Sequence, residues 1–301
     1  MPLFAAGLLA SLAVIAPAAE PDAALLQTPA FLCADQADNR IRLVNPLARN
    51  GEDAALWLYP AAEERPIEYK PTDAKRVEFG GETYILAAYH SRVRLIRFKD
   101  LELVKDYPSY SSCHSYSSCH SAELLPDGAI VSANSNHGVL RLHRSAETFV
   151  DLKLPYAHGV TWDKERERLW ALGDRLYRYR YVEGNLLPDG QFELPLTPTG
   201  HDLFPLRKDS KLLVSNNDAL FLFDIETEAF ETVSELPAIK SASQHSDGSI
   251  WVSEPRMIEN APSWQSDSVI PVLPKGSTGR HTIDGARFYK ARWWQKVEFS
   301  Y

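Results

Sequence analysis

The segment His120-Ser-Ala-Glu-Leu-Leu-Pro-Asp-Gly-Ala-Ile-Val-Ser-Ala-Asn-Ser-Asn136 has the pattern of a strand, a turn and a second strand. Pro126-Asp-Gly128 is a turn signal between two short runs of apolar and β-branched residues. A segment rich in asparagine follows the second run. The segment therefore predicts a β-hairpin whose first strand begins at a histidine.

The same pattern recurs three times, each copy starting about 40 residues after the last. One copy begins with His158-Gly-Val-Thr-Trp-Asp and another with His201-Asp-Leu-Phe-Pro. A more degenerate copy begins at Lys240. A period of this length is typical of a four-stranded propeller blade, so we predict an all-β protein built from radial repeats.

Both ends of the repeat region carry strands without partners. Residues 30–59 supply three strands of a blade, and residues 286–295 supply a single strand. Propellers are commonly closed by a blade that the two chain ends share, because no sheet edge is then left open. We predict one six-bladed β-propeller domain over residues 20–301, with the strand at Phe288 to Trp293 paired to the strand at Phe31 to Asp35.

Length and charge limit the classes of function. A chain of 301 residues with 45% hydrophobic residues suits one large β domain. The formal net charge of −8, without a basic stripe, argues against a nucleic-acid partner. We expect a monomer whose partner is a small molecule or an oligosaccharide.

Residues 1–19 have the pattern of a secretory signal peptide. Leu3 to Ile15 is an apolar run too short to span a bilayer, and the small residues Ala16 to Ala19 follow it. No later run is long enough for a membrane helix. We therefore expect an exported protein, extracellular or periplasmic, with no transmembrane segment.

Export permits a disulfide, but the three cysteines leave its pairing open. They are Cys33, Cys113 and Cys119. The segment Tyr110-Ser-Ser-Cys-His-Ser115 is repeated at once as Tyr116-Ser-Ser-Cys-His-Ser121. This duplication indicates a surface loop rather than a metal motif at Cys113 and His114.

Propeller topology predicts which polar residues meet. Residues at the start of the innermost strands gather around one mouth of the central axis. The turns between second and third strands lie on the same face, and they add Tyr89 and His90. The residues predicted at the starts of the innermost strands are His120, His158, His201 and Lys240, and the equivalent strand of the shared blade contributes Lys290 and Arg292.

Three imidazoles at one register can hold a divalent metal, with a water or substrate oxygen completing the shell. His120, His158 and His201 are the candidate ligands, and Mn, Zn and Ca are the candidate ions. In the alternative interpretation, each histidine only hydrogen-bonds a neighbouring blade. Lys240 would repel a cation, but it suits an anionic ligand bound beside one.

The remaining histidines and tryptophans receive structural interpretations, with one exception. His245 falls in a turn on the opposite face, and we place His143 and His281 in outer strands as surface residues. Tryptophans at strand positions are predicted to be core residues. Trp264, in a long loop at residues 256–267 of the sixth blade, is a candidate for stacking on a ligand.

Several blade phrases resemble a family of exported six-bladed propellers of unknown function in bacteria and fungi. The resemblance covers essentially all of the chain after the leader, and it implies the fold without implying an activity. The phrases are His120-Ser-Ala-Glu-Leu-Leu-Pro-Asp-Gly, His158-Gly-Val-Thr-Trp-Asp, Gly200-His-Asp-Leu and Phe288-Tyr-Lys-Ala-Arg-Trp.

A looser similarity, of the site alone, is to oligogalacturonate lyase, and it implies a metal held by histidines above the axis. This chain departs from that enzyme in blade number and in Lys240. Gluconolactonase-like propellers hold calcium with Glu, Asn and Asp side chains. Imidazoles at the corresponding places here argue against that activity.

These observations favour a protein that binds an anionic carbohydrate in an axial pocket and cleaves it by β-elimination. In that mechanism a cation neutralises the uronate carboxylate, and a base removes the neighbouring C–H proton. The cation would be Lys240 with Lys290 and Arg292, or the metal, and the base would be Tyr89 or His90. The alternatives are a non-catalytic propeller that binds a ligand or a protein, and a hydrolase of another sugar or lactone bond.

Overall fold

The computed structural model describes residues 21–48, 55–59, 70–109 and 118–301. These residues form six four-stranded antiparallel sheets, which confirms the predicted six-bladed β-propeller. The predicted signal peptide, residues 1–19, lies outside the described residues, as do Cys113 and His114.

Each blade contains four strands, and in blades 2 to 6 each strand pairs with its neighbours in sequence. Blade 1 contains β24 and β1–β3, and blades 2 to 6 contain β4–β7, β8–β11, β12–β15, β16–β19 and β20–β23. A short 3-10 helix, Ala23–Leu26, precedes the first strand. The strands are β1 (Phe31–Asp35), β2 (Arg40–Val44), β3 (Ala55–Tyr59), β4 (Pro71–Phe79), β5 (Glu82–Tyr89), β6 (Arg92–Arg97), β7 (Leu103–Pro108), β8 (Cys119–Leu124), β9 (Ile130–Asn134), β10 (Val139–His143), β11 (Phe149–Lys153), β12 (Gly159–Asp163), β13 (Arg168–Leu172), β14 (Arg175–Val182), β15 (Asn185–Glu193), β16 (Asp202–Pro205), β17 (Lys211–Ser215), β18 (Leu220–Asp224), β19 (Ala229–Ser234), β20 (Ala242–Gln244), β21 (Ile250–Ser253), β22 (Ser268–Leu273), β23 (His281–Thr282) and β24 (Phe288–Trp293).

The ring is closed by β24, the innermost strand of blade 1. It pairs antiparallel with β1, with Trp293 opposite Phe31 and Phe288 opposite Asp35. The predicted closure is therefore confirmed. Strands from both ends of the described chain thus share one sheet, and β24 covers the inner edge of β1.

Apolar clusters fill the spaces between adjacent blades. Between blades 1 and 2, for example, Leu32 and Ile41 pack with Ile85. The tryptophans predicted in the core lie in such clusters, with Trp162 between blades 3 and 4 and Trp170 between blades 4 and 5. The apolar core is thus a ring of layers between the blades, arranged around the axis. Side chains on the axis itself can therefore be polar.

Two glycines allow the innermost strands of blades 4 and 5 to approach closely. A Cβ atom on Gly159 would lie 2.6 Å from Cβ of Leu203, and one on Gly200 would lie 2.7 Å from the carbonyl oxygen of Gly173. Contacts this short do not occur between folded residues, so both positions require glycine. His158 and His201 each adjoin one of these glycines in the chain.

The prediction for His143 is wrong. This residue ends β10, the third strand of blade 3, and it is fully buried. Its ring stacks on Tyr107 with centroids 5.7 Å apart, and its Nε2 lies 2.9 Å from Oγ of Ser132. Burial lowers its pKa to about 3, so it is a neutral core residue. The alternation of residue types in the sequence did not show that the third strand is buried at this position.

Cys33 and Cys119 are buried free thiols in different interblade clusters. Burial raises the pKa of each, which keeps them protonated and unreactive. In the described part of the chain, no helix has the length and apolar character needed to cross a membrane.

Candidate functional site

The innermost strands of the six blades start on one face of the ring, which we call the upper face, and end on the lower face. At the upper end of the axis, several aromatic and basic side chains come together. We call this set the upper mouth, and it consists of His120, Tyr156, His158, His201, Lys240 and Tyr289.

The three predicted histidines lie side by side, with the ring of His158 in contact with each of the other two. The ring centroids of His120 and His158 are 4.2 Å apart, and those of His158 and His201 are 5.5 Å apart. His245 and His281 instead pack on tryptophans elsewhere, at Trp293 and Trp251. Equivalent positions of the repeat thus share one height and radius, as the sequence predicted for this trio.

His158 presents an unprotonated nitrogen. Its Nδ1 lies 2.8 Å from the carbonyl oxygen of Tyr156, which only accepts hydrogen bonds, so Nδ1 carries the proton. Burial lowers the pKa of His158 to about 3, and the ring is therefore neutral. Its Nε2 keeps a lone pair, and no described residue hydrogen-bonds to it.

His201 is arranged in the opposite way. Its Nε2 contacts Oδ1 of Asn217, an acceptor, so this nitrogen carries the proton. Its Nδ1 is buried and has no hydrogen-bond partner among the described residues. Burial, followed by the charge of Lys240, lowers the pKa of His201 to about 4. A second lone pair is therefore left without a donor.

His120 is satisfied on both sides. Its Nδ1 lies 2.7 Å from the hydroxyl of Tyr289, and its Nε2 lies 2.8 Å from Oγ of Ser118. Burial lowers the pKa of this imidazole well below its usual value, and the nearby His158 lowers it further. His120 is thus held in place as a neutral wall of the upper mouth.

Lys240 is the cation of the upper mouth. It is partly buried, and none of the described residues forms an ion pair or hydrogen bond with its ammonium group. Burial and the charge of Lys290 lower its pKa to about 8. The ammonium group therefore remains largely protonated at neutral pH without a counter-ion from the described chain.

Lys290 and Arg292 lie one layer deeper, and both are fully buried. Lys290 Nζ is 2.9 Å from Oδ1 of Asp202, and Arg292 forks between Asp73 (2.9 Å) and Asp202 (2.7 Å). Burial alone would raise the pKa of Asp73, but Arg292 and Lys290 hold it well below its usual value. We call these four residues the axial charge layer, and their charges balance internally.

The axial charge layer fills the channel, and further contacts close it below. Lys75 Nζ pairs with Glu123 at 3.2 Å and donates to the carbonyl oxygen of Val160. The hydroxyl of Tyr301 contacts the same Glu123, and Ser300 donates to the carbonyl oxygen of Trp162. The axis is therefore a packed core, and a ligand would reach the upper mouth from above.

Of the two predicted bases, Tyr89 does not belong to the upper mouth. Its side chain is buried in the cluster between blades 1 and 2, beneath the guanidinium of Arg94. Burial raises its pKa, so it cannot serve as a base at neutral pH. His90 is close enough for its charge to lower the pKa of His120, and burial lowers its own pKa to about 4.

The predicted metal set fits an ion poorly in this arrangement. Among the described residues, no three His, Cys, Asp or Glu side chains converge on a common point. Both nitrogens of His120 are engaged, and the rings of His120 and His158 lie against each other rather than edge-on to a shared ion. The two free lone pairs, on His158 and His201, are those that hydroxyl donors or a metal would use.

Sequence reasoning missed two tyrosines of the upper mouth. Tyr156 stacks on His158 with centroids 4.3 Å apart and is 37% exposed, at a backbone φ of 59°. Tyr289 contacts His120 from the closing strand. Both tyrosines are close in sequence to a predicted site residue, Tyr156 to His158 and Tyr289 to Lys290. Repeat register alone does not single them out.

The wide loop of blade 6 also lies on the upper face. It joins β21 to β22, and Gln265 in this loop donates to Gln36, which in turn donates to the carbonyl oxygen of Pro71. Trp264 beside it is 45% exposed. The loop is thus anchored across blades 1 and 2 and presents an indole to solvent.

The family of unknown function DUF6528 matches residues 53–301, which is most of the chain. The protein belongs to the DUF6528 family. No curated protein matches the chain. The predicted membership in a propeller family of unknown function is therefore confirmed, and export remains a prediction.

Solved structures similar to this DUF6528 protein share its fold. A protein of unknown function from Bacteroides caccae has a TM-score of 0.62 and 11% identity, over 88% of this chain and 98% of that one. Virginiamycin B lyase from Staphylococcus aureus has a TM-score of 0.50 and 14% identity, over 71% and 70%. Hydrazine synthase from Kuenenia stuttgartiensis has a TM-score of 0.50 and 10% identity, over 70% and 66%.

Proposed function

We propose that the upper mouth binds an acidic, hydroxylated ligand, and that the ligand is an anionic carbohydrate such as a uronate. The observation that carries the proposal is the ammonium group of Lys240, which is partly buried and has no acidic partner among the described residues. A carboxylate beside it would supply the missing counter-charge, and the desolvated setting would strengthen the pairing.

The surroundings of Lys240 suit the rest of a sugar. The lone pairs on His158 Nε2 and His201 Nδ1 accept hydrogen bonds, and vicinal hydroxyl groups donate them. The exposed face of Tyr156 gives the apolar side of a sugar ring a surface to stack on. The upper mouth therefore offers one cation, two acceptors and one aromatic platform.

A direct test is binding of oligogalacturonate, measured by calorimetry at low salt, with the neutral galactose oligomer as the ligand control. Lys240→Met should weaken oligogalacturonate binding by about tenfold or more, because it removes the one cation without a counter-ion that the described residues place in the upper mouth. The matched control is Lys208→Met, since Lys208 is an exposed lysine in the lower-face turn after β16. Equal binding of the charged and neutral oligomers, or an unaffected Lys240→Met, would rule the proposal out.

A second candidate function is β-elimination at the same site. His158 Nε2, whose low pKa a bound carboxylate would raise, would take the proton next to the carboxylate, the C–O bond to the leaving sugar would break, and the leaving oxygen would gain a proton from water. Lys240 would stabilise the charge that develops on the carboxylate. As an analogy of fold only, one similar solved structure is a virginiamycin B lyase variant with a histidine changed to alanine, described as catalytically inactive.

Elimination is separated from binding by its product. Cleavage of a uronate polymer should yield an unsaturated sugar that absorbs ultraviolet light, and His158→Gln should abolish the absorbance while Lys208→Met leaves it unchanged. Binding without any rise in absorbance, across several uronate polymers, would leave the non-catalytic binding module as the function.

A further inference from the structure

We infer that the protein has a second binding site on its lower face, which takes a small polyanion such as a phosphate ester or a di- or tricarboxylate. The site is a cavity of about 360 Å³ at the end of the axis opposite the upper mouth. We call it the lower cavity, and its principal lining residues are Arg76, Arg207, His245, Trp293, Trp294 and Lys296.

The lower cavity is assembled from the downstream ends of the innermost strands. Arg76 lies in β4, Arg207 follows β16, His245 follows β20, and Trp293 to Lys296 end β24 and continue beyond it. The N-terminal segment Leu26 to Pro29 forms the remaining wall. Four blades and both ends of the described chain therefore converge here. The lower cavity is thus formed by several elements of the fold and not by one loop at the surface.

The charged side chains that line the lower cavity are all basic. Arg76, Arg207 and Lys296 line it, and none of the described lining residues is acidic. This excess stands out because the whole chain has a formal net charge of −8. A cavity of one sign in a protein of the other sign concentrates small ions of opposite charge.

The two arginines differ in how far they are already used. Arg76 donates to Glu78 at 2.7 Å and to the carbonyl oxygen of Leu26, and its guanidinium lies 5.0 Å from the ring of Trp294. It is therefore fixed in position. Arg207 is only loosely paired, with 3.9 Å between Nη1 and Oε1 of Glu298, so its fork remains available for a carboxylate or phosphate.

Lys296 and His245 complete the site. Lys296 is exposed, and no described residue forms an ion pair with it. The ring of His245 packs on Trp293 with centroids 4.2 Å apart and pairs with Asp247 at 3.1 Å. The prediction of a surface histidine on the lower face thus holds for its location, but this imidazole forms part of a cavity wall.

The volume limits the ligand to a small molecule. Ligand cavities range from about 300 to 1,000 Å³, and this one is near the lower end. Several cations around so small a space are best matched by an ion with two or more anionic groups. The axial charge layer lies between the two sites, so the lower cavity is independent of the upper mouth.

The test uses the full chain with citrate and inorganic pyrophosphate as probes, in low-salt calorimetry. At least one probe should bind, and the preferred one identifies carboxylate or phosphate as the recognised group. Arg207→Gln should weaken binding about tenfold, and Lys296→Gln a few-fold, since an exposed charge contributes less. Lys153→Met, at an exposed lysine of the outer strand β11, is the control that should leave probe binding unchanged, and added salt should weaken binding.

Two outcomes would overturn the inference. One is that neither probe binds at millimolar concentration, and the other is that Arg207→Gln and Lys296→Gln both bind as the unmodified protein does. If Arg207→Gln lowers the melting temperature, Lys296→Gln and Lys296→Glu decide the matter, because that side chain is exposed. The oligogalacturonate measurements use other variants and another ligand, so either proposal can fail alone.

Discussion

Among single residues of the upper mouth, Lys240 has the clearest effect on stability. Its pKa is lowered to about 8, mainly by burial, against a usual value of 10.5. The folded state therefore disfavours the charged form. Between pH 8 and 10.5 the unfolded chain binds more protons than the folded one, so this group makes stability rise with pH over that interval.

Lys240→Met should stabilise the protein at neutral pH by about 2 kcal/mol, because it removes a desolvated charge that has no partner. Thermal unfolding at pH 7 and pH 10 checks this, and the gain should shrink at the higher pH. Lys208→Met should change neither value. A less stable Lys240→Met protein would mean that the ammonium group has a counter-ion after all.

Tyr156 is the second residue with a separable role. Its backbone carbonyl sets the protonated nitrogen of His158, whereas its ring only stacks. Tyr156→Asn tolerates the positive φ of 59° and keeps the carbonyl. Oligogalacturonate affinity should then fall about two- to tenfold, because one aromatic stacking contact is lost.

The nitrogen NMR shifts of His158 are the matching readout for Tyr156→Asn. They should still show the proton on Nδ1, because the backbone acceptor is unchanged. A proton moved to Nε2 would show that the ring, and not the carbonyl, selects the tautomer.

At the scale of elements, the close approach of blades 4 and 5 depends on glycine. Gly200→Ala should destabilise the protein by about 2 to 4 kcal/mol, since its Cβ would press on the Gly173 carbonyl and on Leu172. Denaturant unfolding measures the loss. Gly248→Ala is a useful contrast, because open space surrounds that Cβ and the only cost is its φ of 90°.

The same elements show which parts of the candidate site can be predicted from the sequence. Register in a radial repeat predicted that His120, His158 and His201 meet, because equivalent residues share height and radius. It could not predict that Lys290 and Arg292 are neutralised, because their partners Asp73 and Asp202 lie in blades 2 and 5, far away in sequence. The position of the Tyr89 ring could not be predicted for a simpler reason. Whether this ring faces the axis or the neighbouring blade depends on strand orientation, which the spacing of residues alone does not reveal.

At the scale of the whole molecule, the axial charge layer joins blades 1, 2 and 5 through Arg292. Arg292→Met would leave Asp73 and Asp202 with Lys290 as their main cation, at 3.8 and 2.9 Å. We expect a loss of about 3 to 5 kcal/mol, because buried carboxylates would lose their fork of hydrogen bonds. The pKa of both carboxyls is lowered in the folded state, so the layer contributes at neutral pH and fails only in acid.

Chemical denaturation at pH 7 tests the layer, with Arg97→Met as the matched control. Arg97 pairs with Asp100 at the surface, and its loss should cost far less than the loss of Arg292, because exposed ion pairs contribute little to stability. Similar losses for the two variants would show that the axial charges contribute no more than surface pairs.

Ring closure by β24 has a consequence for how the protein is made. A ribosome synthesises Asp73 and Asp202 well before it reaches Lys290 and Arg292, so a nascent chain carries these two carboxylates without their main cations. The inner edge of β1 also lacks its partner until β24 has been synthesised. The closed ring therefore cannot form before β24 is available, and until then blade 1 keeps an unpaired strand edge that can associate with other chains.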